Sequence, residues 1–277
     1  MESKEKNAYI LGTDREELRR LGYQHQVWSS EARRGWEIAG FSMGDELLDL
    51  GCGPGFCTQE LGYLVGTKGK VIGIDKSESY IQYLDEIATF HNLNIETQAC
   101  DFNDMELSSN SLDGAYCRWA LAWIPNPHQI IAKVSEALKP GGRFVVQEYY
   151  DWSTFQTTPE FPNLKEAIFQ ALTSFDNGIG EINIGKKTPK LFELSGLSVY
   201  HTRPLSKMAK PHDLVWQWPK TFLQIYLPKV VEMGKLKAKV ASEAMKEFTL
   251  LEKSPGASLL APAMIEVIGE KKLNTSV

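Results

Sequence analysis

The stretch LLDLGCGPG at residues 47–55 constrains this chain more than any other feature. A short apolar run enters a turn that carries glycine at three alternate positions, and an amphipathic segment over 55–65 follows. Glycine at such a turn takes up positive φ and lets a ligand lie against bare backbone. Strand, glycine turn and helix in that order make the first βα unit of a parallel sheet and call for an adenosine-sized ligand at its carboxyl edge.

From 46 to 147 the pattern repeats. Short apolar runs at 46–50, 70–74, 95–99, 112–118 and 142–149 alternate with amphipathic stretches near 55–65, 79–91 and 127–137. Near-continuous apolar runs are expected of strands covered on both faces, so a parallel sheet with crossover helices is the reading. Within LKPGGRFVVQE, residues Pro140, Gly141 and Gly142 separate a helix from a strand. Beyond Tyr150, two short runs at 199–203 and 265–270 flank a helical insertion and read as an antiparallel edge hairpin. Residues 14–40, with Tyr23, Trp28 and Trp36, are expected to form one or two helices over the sheet's ligand edge.

A chain of 277 residues is long enough for one large α/β domain or for one domain plus a cap, and too short for two full-sized enzyme domains, so one core is expected. Hydrophobic residues at 43% and charged residues at 23% are those of a globular protein and exclude disordered, collagen-like and disulfide-scaffold classes. A net charge of -5 speaks against a large cationic surface, so nucleic acid is not the expected partner. The lysines at 229, 235, 237 and 239 have the spacing of a solvated helix face. Cys52, Cys57, Cys100 and Cys117 form no C-x-x-C pair and are read as reduced structural thiols. The polar start MESKEKNAYILG and the lack of a membrane-length apolar run make a cytoplasmic protein the expectation.

The glycine spacing discriminates among nucleotide ligands. A dinucleotide turn requires G-x-G-x-x-G, yet Phe56 stands at the completing position and Gly55 comes one residue early. Asp49, two residues before the first glycine, is badly placed beside a pyrophosphate but suits a ligand bearing an ammonium group. Asp75 ends the run VIGID, where a strand-end acid can accept hydrogen bonds from ribose hydroxyls. Asp101 can accept from an adenine amino group while Phe102 contacts the ring. Three acids at three successive strand ends fit a nucleoside without phosphates.

With these motifs in order, the chain resembles the class I S-adenosylmethionine-dependent methyltransferases, particularly the small-molecule group that includes ubiquinone and menaquinone biosynthesis enzymes. LLDLGCGPG is similar to the first family motif, GIDKS to the ribose motif, ACDFND to the adenine motif and ALKPGGRFVVQE to the motif after the fourth helix, over roughly residues 40–150. The resemblance implies an α/β fold: a Rossmann-like, mostly parallel seven-stranded sheet with helices on both faces, an antiparallel edge hairpin, and a helical lid with insertions. It implies a lid over 1–40, a cofactor-binding core over 41–150, and the rest of the sheet with substrate-binding insertions over 151–277.

It further implies S-adenosylmethionine as cofactor, with S-adenosylhomocysteine as product. Asp49, Gly51, Cys52, Gly53 and Gly55 would hold the methionine end, Asp75 with Lys76 and Ser77 the ribose, and Asp101 and Phe102 the adenine. Backbone carbonyls of Cys117 or Arg118 would meet the cofactor's amino group. Tyr9, Gln24, Gln26 and Trp28 suit a lid, and Tyr9, Trp28, Trp119, Trp123 and Tyr149 are the candidate substrate-lining residues. The aromatic segments 149–152 and 216–220 are candidates for an apolar acceptor pocket or for core packing.

Methyl transfer from a sulfonium is an in-line displacement in which alignment and desolvation supply much of the acceleration. A base is optional. If one is used, the candidates are Glu148 and Tyr149, placed at the end of the fifth strand, and His128, His201 and His212, with Glu148 ranked first. No metal-ligand spacing is present and no metal is expected. The expected partner is a small, hydrophobic or aromatic acceptor, bound by a monomer or homodimer. The competing readings are a cofactor-binding protein without transfer activity, an RNA or protein methyltransferase, an aminopropyltransferase, and a nicotinamide-dependent reductase.

Overall fold

The computed structural model describes residues 15–175 and 180–273. Its elements in chain order are α1 (Arg15–Ala39), β1 (Glu46–Leu50), α2 (Phe56–Val65), β2 (Lys70–Asp75), α3 (Glu78–His91), β3 (Ile95–Ala99), β4 (Leu112–Arg118), α4 (Pro127–Ala137) and β5 (Leu138–Asp151). There follow β6 (Gln156–Thr158), α5 (Pro162–Ser174), α6 (Thr188–Leu194), β7 (Leu197–Leu205), β8 (Met208–Ala209), α7 (Leu214–Glu232), α8 (Ala238–Lys253), β9 (Ser258–Leu260) and β10 (Ala263–Lys271). The described residues form two compact units, one of 15–27, Phe155–Ser174 and Met208–Ala261, the other of Trp28–Thr154, 175, 180–207 and 262–273. Segments 1–40 and 151–277 each contribute to both.

The larger unit is built on a seven-stranded sheet of order β3-β2-β1-β4-β5-β10-β7. Strands β1 to β5 pair in parallel, and β10 lies antiparallel between β5 and β7. The edge hairpin expected from 199–203 and 265–270 is therefore present, with both strands longer. After β3 at one edge the chain returns to place β4 beside β1. The carboxyl ends of β1 and β4 flank this reversal, the position at which open α/β sheets bind ligands.

Strict alternation along the strands sorts the core. Leu48 and Leu50, Ala115 and Cys117, Phe144 and Val146, and Val267 face one side and pack on Ile130, Ile131, Val134 and Ala137 of α4 and Phe192 of α6. Leu47, Tyr116, Val145 and Ile268 face the other, against Ala32, Trp36 and Ala39 of α1 and Cys57, Leu61 and Val65 of α2. Each such aliphatic side chain removed from water contributes about 1.5–3 kcal/mol. The part of α1 from Trp28 onward thus packs on a sheet face, where the sequence placed it over the ligand edge. Its aromatic and small residues recur at helical spacing, which a face-packing helix and a lid share.

The smaller unit holds α5, α7, α8 and a three-stranded sheet of order β6-β9-β8. Trp216 packs edge-on to Phe248, its Nε1 donating to Glu252, and the Tyr226 and Ser174 hydroxyls are 2.7 Å apart. In the same unit Gln24 Oε1 accepts from Arg20 and from Trp218 Nε1. Trp216 and Trp218 are buried, so the aromatic segment 216–220 serves as core of this unit. No helix among the described residues is long and apolar enough to cross a membrane.

Candidate functional site

The three glycines of the turn after β1 take positive φ, 74° at Gly51, 54° at Gly53 and 81° at Gly55, while Cys52 and Pro54 between them do not. The three glycines do different work. A Cβ on Gly51 would lie 2.3 Å from the Ala120 methyl, and one on Gly55 would lie 2.3 Å from Leu84. A Cβ on Gly53 would meet nothing within 4 Å. Gly51 and Gly55 therefore permit close packing, while Gly53 leaves a bare, open stretch of backbone.

Asp75 fastens this turn to the next helix. Its Oδ2 accepts from the Gly53 N–H and its Oδ1 from the Ser77 N–H, both at 2.9 Å, and Ser77 Oγ in turn caps α3 by accepting from Tyr80 N–H. Burial raises the Asp75 pKa, opposed by the Ser77 and Gly53 bonds. The Lys76 N–H also donates to it, and the carboxylate keeps acceptor capacity for a further donor. Lys76 is exposed beside it. Cys52 is buried next to Leu84 and its thiol pKa is pushed well up, first by burial and then by Asp49 and Asp75. The protein's four cysteines are all free.

On the α1 side of the sheet the apolar layer changes to a polar one toward the carboxyl ends, each polar residue two positions from an apolar one. Leu47 gives way to Asp49, Tyr116 to Arg118, Val145 to Gln147 and, on antiparallel β10, Ile268 to Glu266. Across the ladder Arg118 pairs with Gln147, Gln147 with Glu266 and Glu266 with Arg203. Glu266 accepts from Arg203 Nε at 2.7 Å and Nη2 at 3.1 Å, and from Gln147 Nε2 at 2.6 Å. Gln147 also accepts from the Tyr116 hydroxyl and donates to the Glu31 carbonyl, while Arg203 and Lys207 reach the Glu31 carboxylate.

Asp49 is buried at the β1 end of this layer and accepts from Thr58 Oγ1 at 2.7 Å. Its pKa is raised to about 6, chiefly by burial, with Thr58 and Arg118 opposing. The sequence reading named Arg118 only for its backbone carbonyl and missed Thr58 and the row of Gln147, Glu266 and Arg203 beside it. The available signal was the shared parity of Asp49, Arg118 and Gln147 at three strand ends.

The loop after β4 carries an aromatic cluster. Trp119, at φ 55°, meets Trp28 edge-on at 5.7 Å and stacks on Tyr149 at 5.8 Å. Tyr149 continues to Trp152, and Trp152 and Trp123 both contact Phe175. Lys207 Nζ lies 5.0 Å from the Trp28 ring and the Arg118 guanidinium 4.9 Å from that of Trp119. Of the candidate substrate residues, Trp28 is fully buried, while Trp119, Trp123 and Tyr149 are half-buried. Tyr9 lies outside the described residues. Phe175 was not foreseen.

Glu148 is not at the end of its strand, because β5 continues to Asp151. It is fully buried and accepts from the Leu121 N–H at 2.8 Å, in the turn whose Ala120 abuts Gly51. Burial pushes its pKa up to about 8, with the N–H groups of Leu121, Ala120 and Ala122 opposing. This corrects the expected placement facing an acceptor: the carboxyl braces the β4 loop from beneath. His128 and His212 are exposed on other segments and His201 sits in edge strand β7. Asp101 is exposed, its Oδ1 accepting from both Asn103 N–H groups, and the Phe102 ring lies 3.5 Å from where a Gly51 Cβ would be.

A family model described as a methyltransferase domain matches residues 42–195, more than half of the chain, which thus belongs to the class I S-adenosylmethionine-dependent methyltransferases. The chain is 25% identical over 190 residues to a demethylmenaquinone methyltransferase of Desulfitobacterium hafniense, covering 66% of this chain and 72% of that one. It is 29% identical over 129 residues to a 2-phytyl-1,4-naphtoquinone methyltransferase of Synechocystis, covering 46% and 53%. The match spans about half the length of the latter relative. Among solved structures, one of a methyltransferase-like protein from Bacillus halodurans superposes with a TM-score of 0.60 at 15% identity, covering 88% of this chain and 99% of that one.

Proposed function

We propose that this protein transfers the methyl group of S-adenosylmethionine to a small, apolar, ring-bearing acceptor. The cofactor reading is supported by the open backbone at Gly53 between two acids, Asp49 and Asp75. Asp49, Gly51, Cys52, Gly53 and Gly55 would receive the methionine end, with the carbonyls of Cys117 or Arg118 toward its ammonium. Asp75, Lys76 and Ser77 would receive the ribose, and Asp101 and Phe102 the adenine. When bound, the cofactor supplies an electrophilic methyl on a sulfonium.

The observation that carries the acceptor class is the aromatic cluster that Trp119 and Trp123 of the loop after β4 form with Tyr149 of β5, Trp152 just after it and Phe175 just after α5. Aromatic faces and edges favour a flat apolar ring and exclude water from the path of the methyl group. The quinone substrates in the names of the two relatives are of this class. Glu148 acts here as a positioning residue through the Leu121 N–H, so transfer relies on alignment and desolvation.

The test is incubation with methyl-labelled S-adenosylmethionine and a panel of reduced naphthoquinones, phenols and indoles, read by mass spectrometry. Transfer to at least one apolar ring, weakened by Tyr149→Ala, supports the reading. Labelled RNA or protein, or tight cofactor binding with no turnover on any ring acceptor, would overturn it in favour of the macromolecular or the non-transferring alternative.

A further inference from the structure

We infer that the guanidinium of Arg118 is the anchor for the carboxylate of the cofactor's amino-acid end, facing Asp49 as the counter-charge to its ammonium. The inference rests on the methyltransferase reading and adds a charged residue to it, since the sequence motifs offered only a backbone carbonyl at this position.

The polar row across the sheet supplies the argument. Its other cation, Arg203, is saturated by Glu266 and Glu31, and Gln147 is engaged on both ends. Arg118 differs. Its Nη1 is buried without a hydrogen-bond partner among the described residues, and no carboxylate among them lies within ion-pair distance of it. A buried guanidinium donor left unmade is expensive, and its lack of a protein partner points to a ligand oxygen.

Position and charge specify that ligand. Arg118 is the last residue of β4, and β4 pairs with β1, whose end opens into the glycine turn. It lies within electrostatic reach of Asp49, which accepts its hydrogen bond from the Thr58 hydroxyl and not from a cation. One buried acid and one guanidinium whose Nη1 is buried without a hydrogen-bond partner, at neighbouring strand ends, match the zwitterion of an amino acid. A cation–π contact with Trp119, with Cζ 4.9 Å from the ring centroid, helps to hold the guanidinium in place, and a guanidinium can bind a carboxylate along its edge. The electrostatic interaction with Asp49 gives Nη1 no hydrogen-bond acceptor, so that donor is left for a ligand.

Calorimetry with ligands that differ by one group tests this without turnover. S-adenosylhomocysteine carries both ammonium and carboxylate, its decarboxylated analogue only the ammonium, and 5′-methylthioadenosine neither. Arg118→Met is expected to weaken S-adenosylhomocysteine by about 10- to 100-fold, the size of a charged hydrogen bond, while leaving both other ligands within about threefold. Arg118→Lys should recover part of the loss. Equal weakening of all three ligands would assign Arg118 a purely structural role, and unchanged affinity for S-adenosylhomocysteine would also overturn the inference. If the unaltered protein binds none of the three, it is the methyltransferase reading that falls.

Discussion

Replacing Gly35 by alanine should destabilise the protein, against the usual direction of this change in a helix. Gly35 lies within α1, where alanine is ordinarily favoured by about 1 kcal/mol. Here the added methyl would lie 2.3 Å from Glu266 Oε2, 3.1 Å from its Cδ and 3.2 Å from Val145 Cγ1. The carboxylate cannot simply swing away, because Arg203 holds it twice and Gln147 once. Breaking one such charged bond costs about 1.5–3 kcal/mol, and lifting the helix instead costs a comparable 1–3 kcal/mol of packing. Set against the propensity gain, the net loss is about 1–2 kcal/mol. Urea denaturation measures it, with Glu266→Asp as a second background in which the shortened side chain should reduce the penalty. A Gly35→Ala variant as stable as the parent or more so would refute the packing of α1 on this network.

Two pH experiments follow from the buried acids. Glu148 has a folded pKa of about 8, above its ordinary 4.5. The folded state therefore holds the extra proton between these values, and stability should fall as pH rises from 4.5 to 8 and level off above. Glu148→Gln should flatten that slope in melting-temperature profiles, and an unchanged slope would contradict the assignment. Asp49, at about 6, must ionise to meet an ammonium. Affinity for S-adenosylhomocysteine should accordingly rise from pH 5 to 7 with proton release, and Asp49→Asn should bind with little dependence over that range.

The central sheet was legible in the chain because buried parallel strands are near-continuous apolar runs, and those at 46–50 and 112–118 were bounded to the residue, as was edge strand 95–99, whose IETQA has no buried residue. The glycine turn and its acids were legible because each sits where one strand ends. Glu148 was misplaced for a physical reason: β5 runs past its apolar segment through Tyr149 and Tyr150 to Asp151, and polarity gave no sign of a strand continuing. The partnership of Gln147 with Glu266 and Arg203 joins residues more than fifty positions apart on antiparallel strands, a register that periodicity alone does not fix. Trp28 looked like a lid residue because an aromatic on an amphipathic helix reads alike whether it meets a ligand or a sheet.

The most direct measurement is a calorimetric titration of the purified protein with S-adenosylhomocysteine, with NADH as control and Asp75→Ala as the site variant. The account predicts micromolar binding of the homocysteine compound, its loss in Asp75→Ala, and no binding of NADH. Absence of binding, or binding indifferent to Asp75, would contradict the assignment of the glycine turn to this cofactor.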